Sequence, residues 1–179
     1  MKSKRVRFQK HLHHKIEDHD KAGGLIDDLI YSVGLVVMYF SGMESDFDSA
    51  LCEMFTDRTD SMGLLVLHKM NYSAKVELFK RFSDDFHLAV EEEPKEYENL
   101  IHNLKKAGRL RNLVVHADWE STNEEGYTFV SMKINKSGME QEYIQFSEES
   151  LEKIIALINS TREQIEKYWE AREAILCRH

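Results

Sequence analysis

The stretch PKEYENLIHNLKKAGRLRNLVVHADW, Pro94 to Trp119, sorts into two stripes when wound at about 3.6 residues per turn. Leu100, Leu104, Ala107 and Val114 recur at helical spacing with Ile101, Gly108 and Val115 beside them, the pattern of a helix face turned to a core. The second stripe reads His102, Lys105, Arg109, Asn112 and His116 and contains no acid. Proline is tolerated in a first helical turn, so Pro94 predicts the start of this helix, and the pattern runs out near Trp119. Arg111 falls on the apolar stripe. A guanidinium there cannot shed its charge, so it must snorkel to water, pair with a carboxylate, or face a polar cavity or another subunit.

Working outward, Leu25 to about Phe55 is also helical in pattern, with Leu29, Val33, Val36 and Phe40 on its apolar side. Glu44, Asp46 and Asp48 interrupt that side before Leu51, Met54 and Phe55 resume it. The segment reads equally as one long helix or as two broken near Gly42. The acids are candidate partners for Arg111, Glu44 and Asp48 above all; the plainer alternative is that Arg111 snorkels and the acids are solvated. A further helix is predicted over Ser73–Phe86, after a polar loop, Thr56–Asn71, that holds the short apolar run Leu64–Leu67. Tyr127–Ile134 and Glu142–Phe146 alternate about the turn signal Lys136-Ser137-Gly138 and predict a β-hairpin. Ser147 then caps a closing helix whose first turn carries Glu148 and Glu149. The expected fold is mainly α: a helical bundle of four to five helices with a small β-hairpin insertion before the last helix. One proline in 179 residues agrees with long helices. The expected organisation is a basic, His-rich segment, 1–20, and a single domain, 21–179.

The net charge of -8 argues against indiscriminate binding to nucleic acid, but the charge is uneven. Residues 1–16 hold Lys2, Lys4, Arg5, Arg7, Lys10 and Lys15 and no acid, which reads most simply as a solvated arm or polar helical lead-in. Neither His11, His13, His14 and His19 nor the two cysteines, Cys52 and Cys177, have metal-ligand spacing, so no metal and no cofactor is expected. The thiols suit a reducing cytoplasm. The most apolar run, Leu29–Phe40, is shorter than the roughly 20 residues of a membrane span, so no membrane association is expected.

The hexapeptide Arg111-Asn112-Leu113-Val114-Val115-His116 resembles the Arg-Asn-x-x-x-His signature of the HEPN superfamily. Its setting, late in a helix and ahead of a final long helix, fits, and Tyr72–Phe82, with Lys75 and a Leu-Phe pair, resembles the helix before the motif in several members. The resemblance implies an RNA-cleaving toxin or defence effector that acts as a homodimer, its two motifs meeting at the interface. It implies His116 as general acid or base and Arg111 as the group that stabilises the phosphoryl transition state. Asn112 would orient the imidazole or contact phosphate, and Arg109 and Lys105 would contact the RNA. Arg111 and His116 point about 140° apart on an ideal helix, so their convergence requires a bent side chain, a distorted helix or a second subunit. Some small toxins of the family carry His-x-Tyr and are silenced by modification of the tyrosine. Asp118 stands at that position, so that mode of neutralisation is not expected, although an antitoxin or defence-system partner is. Two other readings remain: a non-catalytic HEPN domain that binds RNA, a nucleotide or a protein, and a purely structural helical adaptor.

Overall fold

The computed structural model describes residues 1–8, 16–56, 61–136 and 138–178. Five helices and three strands follow one another among them: β1 (Lys2–Arg7), α1 (His19–Thr56), α2 (Ser61–Leu67), α3 (Tyr72–Val90), α4 (Tyr97–Val115), β2 (Tyr127–Asn135), β3 (Gly138–Gln145) and α5 (Glu148–Leu176). The protein is thus mainly α with a small antiparallel sheet ahead of the last helix. The chain divides into two compact units, residues 1–37 with 111–155 and residues 38–110 with 156–179.

In the first unit the sheet order is β1-β3-β2, both outer strands running antiparallel to β3. The predicted hairpin is β2–β3: Asn135 pairs with Gly138, whose φ of 123° is a conformation that glycine adopts at little cost. The third strand was not foreseen. Lys2–Arg7 holds one apolar residue, Val6, and has no strand signal of its own; it forms because the outer edge of β3 otherwise leaves backbone groups unpaired. Tyr143, Ile144, Phe146, Leu151 and Ile154 are buried in this unit, as are Leu29, Val36 and Val114. Ser147 caps α5 as expected, by a reciprocal exchange: its hydroxyl accepts from the Ser150 N–H (3.2 Å) while its own N–H donates to the Ser150 hydroxyl (3.0 Å).

In the second unit Phe40, Met43, Phe47, Leu51, Phe79, Leu100, Leu104, Ile158 and Ile165 are buried. α1 runs unbroken through Gly42, since a helical glycine costs about 1 kcal/mol against alanine, less than burying the flanking Phe40 and Met43 contributes. Leu64–Leu67 lies in the short helix α2 rather than in a loop. α3 is capped by Asn71, whose side chain accepts from the Ala74 N–H at 2.9 Å. α4 begins at Tyr97, three residues after Pro94, where the Tyr97 hydroxyl donates to Asp84 (2.7 Å). By length and composition α1 could cross a membrane, a test that helices covering a core also pass.

Candidate functional site

The motif spans the last turn of α4 and the first residues beyond it. Arg111 and Asn112 are helical, whereas His116 lies one residue past Val115, its N–H still bonded to the Asn112 carbonyl at 3.0 Å. Arg111 is half-buried and donates from Nη1 to Asn112 Oδ1 at 3.1 Å; Asn112 and His116 are exposed. Asparagine at this position therefore does two things. Its backbone carbonyl fixes the turn that presents the imidazole, and its side-chain carbonyl holds the guanidinium.

The segment after His116 is tied down on several sides. The Trp119 indole N–H donates to the Val114 carbonyl at 3.0 Å, satisfying one of the acceptors that a helix end leaves open, and its ring packs on Phe146 with centroids 4.9 Å apart. The Asp118 N–H donates to the Phe129 carbonyl (2.9 Å), joining this segment to β2. Ser121 and Thr122 close a short 3-10 turn by donating their hydroxyls to the Asp118 and Trp119 carbonyls, both at 2.8 Å. Sequence reasoning used Trp119 only to mark a helix end. Its indole donor is the position's physical signal, because a buried tryptophan N–H needs an acceptor.

The remaining expected residues belong to the second unit. Lys105 and Arg109 are exposed on α4. Glu44 and Asp48 hold Lys75, whose Nζ lies 3.1 Å from Glu44 Oε1 and 2.8 Å from Asp48 Oδ2, and Asp46 pairs with Arg162. Lys75 is only 6% exposed. Burial works against its charge, but the hydrogen bonds and charges of Asp48 and Glu44 outweigh that and keep its ammonium above the usual lysine range. The acids that interrupt the apolar side of α1 are thus explained by buried and interhelical ion pairs within their own unit.

A second polar cluster in this unit surrounds His87. Its Nε2 lies 3.1 Å from the Tyr168 hydroxyl and its ring stands edge-on to Tyr97, centroids 4.5 Å apart. Burial first, and the nearby Arg172 and Lys80 charges after it, push the imidazole down against the opposing pull of Glu93 and Asp84. No three His, Cys, Asp or Glu side chains are placed to hold a metal ion among the described residues, and His11, His13 and His14 lie outside them.

Chemically, the end of α4 offers a permanent cation, an amide and a solvent-accessible imidazole on one braced turn. A guanidinium can bind an oxyanion and an imidazole can take up or release a proton. Comparison with protein-family models, with curated proteins and with solved structures found no match.

Proposed function

We propose that this protein is a metal-independent endoribonuclease of the HEPN type, acting in toxin–antitoxin or antiviral defence. The observation that carries the reading is the braced turn at the end of α4, where Asn112 bonds Arg111 through its side chain and His116 through its backbone. His116 removes the proton from an RNA 2′-hydroxyl, whose oxygen attacks the adjacent phosphorus. As the bond to the 5′-oxygen breaks, the imidazolium returns its proton to that leaving oxygen. The products are a 2′,3′-cyclic phosphate and a 5′-hydroxyl. Arg111 stabilises the charge that gathers on the non-bridging oxygens, and Asn112 keeps the guanidinium in place. Asp118, through its backbone N–H, and Trp119, through its indole N–H, hold the turn on which His116 is carried.

A homodimer belongs to the same reading. α1 exposes Ile30 (65%), Tyr31 (74%) and Val37 (40%) on one side in the unit that carries the motif, an apolar face of the kind that subunit contacts cover.

The test is cleavage of a labelled mixed RNA pool with EDTA present. Wild type is expected to leave 2′,3′-cyclic phosphate ends, and His116→Ala and Arg111→Ala to cleave about 100- to 10,000-fold more slowly while keeping the wild-type circular dichroism spectrum. Equal cleavage by all three folded proteins, or none by the wild type, sinks the nuclease and leaves a binding module.

A further inference from the structure

β1 is an edge strand with four cations in six residues and no acid. Its alternation sends Lys2 and Lys4 to one face of the sheet, opposite Gln145 and Tyr143, and Arg5 and Arg7 to the other, opposite Glu142 and Glu140. One of the four is engaged by a carboxylate among the described residues. Arg5 contacts Glu142 at 3.3 Å, and Lys133 reaches the same side chain at 2.8 Å. Lys133, with Ser131 and Arg5, holds that carboxyl below the usual range against the cost of burying it. Lys4 lies over the Tyr127 ring, its ammonium 4.0 Å from the centroid, and 5.8 Å from that of Tyr143. Lys2 and Arg7 have no ion-pair partner among the described residues, and both are exposed.

A charge or two on an open edge guards against pairing with another chain's strand. Three cations without carboxylate partners among the described residues, on one short strand, exceed that need in a protein of net charge -8, where carboxylates are plentiful. Lys2 and Lys4, alternate residues of the strand, stand about 6.6 Å apart, close to the step between successive phosphates of an extended single strand. The cation–π contact of Lys4 with the Tyr127 ring holds its ammonium at this surface. β1 also belongs to the same compact unit as Arg111, Asn112 and His116.

We propose that the open edge of β1 is a phosphate-binding rail for single-stranded RNA, with Lys2 and Lys4 reaching its backbone from one face of the sheet and Arg7 from the other. The identity of the polyanion rests on the ribonuclease reading; the charge and placement of the rail do not. A local rail resolves the conflict between an acidic protein and a polyanionic substrate, because it binds RNA without a general basic surface.

The experiment measures binding of a labelled single-stranded RNA by fluorescence anisotropy across a salt series, with all proteins carrying His116→Ala so that the RNA stays intact. Replacing Lys2, Lys4 and Arg7 by Thr is expected to weaken binding about tenfold or more near 0.1 M salt and to reduce the log–log salt slope by about 2, roughly 0.7 per lost phosphate contact. Replacing all three by Glu keeps the edge charged against aggregation and is expected to abolish binding. Lys95→Gln, Lys106→Gln and Lys167→Gln together remove the same charge elsewhere and are expected to leave the affinity within about twofold. Unchanged affinity and slope in the soluble Glu variant would overturn the rail, as would an equal loss in the Lys95/Lys106/Lys167 variant. RNA bound through β1 by a protein that never cleaves it would retain the rail and refute the nuclease. Cleavage by a protein whose β1 variants bind normally would do the reverse.

Discussion

Lys75 and His87 are both buried, yet burial leaves them on opposite sides of the charge question because their neighbours differ. Lys75 has two carboxylates within hydrogen-bond reach and keeps its proton; His87 has a tyrosine hydroxyl and aromatic rings and is held toward its neutral form. The pH consequence follows from the direction for His87. Its folded-state affinity for a proton lies below that of an unfolded histidine, about pH 6.5, so the unfolded chain binds a proton that the native one resists. Its contribution is therefore complete above that pH and is lost as the pH falls through it toward the folded value. Urea unfolding near pH 8 and near pH 5.5 is expected to show a larger acid loss for wild type than for His87→Gln, which retains a polar partner for Tyr168. Equal losses would mean that His87 titrates alike in both states. At the same scale, Arg111, Asn112 and His116 were legible as a group because their spacing is local. The partner of Glu44 and Asp48 was not, since Lys75 lies 31 and 27 positions away.

Among the helices, α3 meets α4 where Tyr72 packs on Gly108. A methyl group at Gly108 would stand 2.6 Å from Tyr72 Cε1 and 2.7 Å from Cδ1. The ring cannot easily give way: it packs against Phe40 (4.9 Å) and Phe47 (6.1 Å), and its hydroxyl donates to the Leu104 carbonyl at 3.1 Å. Gly108→Ala should therefore destabilise the protein by about 1–3 kcal/mol, against the gain of about 1 kcal/mol that alanine usually brings to a helix. Gly24→Ala, where an added methyl meets nothing within 4 Å, should show that ordinary gain. Denaturant unfolding of both variants decides it; stabilisation by Gly108→Ala would mean that Tyr72 has room to move. α2 lay hidden in an expected loop, whereas α1, α3, α4 and α5 were readable from periodicity and the hairpin from its alternation. β1 was not, because a strand of basic residues becomes a strand only when β3 supplies the backbone partners.

For the molecule as a whole, the proposed homodimer rests on the exposed apolar face of α1. Light scattering at micromolar concentration is expected to give twice the chain mass, and Tyr31→Glu, which places a charge at the most exposed aromatic of that face, to give single chains with cleavage greatly reduced. A wild-type monomer that cleaves RNA at full rate would remove the dimer from the proposal. Net charge bears on this scale too. An excess of eight negative charges sets a repulsive field for any polyanion, so the proposed binding of RNA would depend on local cations and weaken with salt.

Sequence alone determined the helical class, the hairpin, the Ser147 cap and the run from Arg111 to His116, because each depends on neighbours within a few residues. Tertiary structure decided the rest. It made the basic N-terminal residues an edge strand, gave Glu44 and Asp48 to Lys75, and set Trp119 under the last turn of α4. The physical reason is common to all three. Backbone groups on an open edge, buried charges and helix-end carbonyls must each find a partner, and the chain supplies one from wherever folding brings it near.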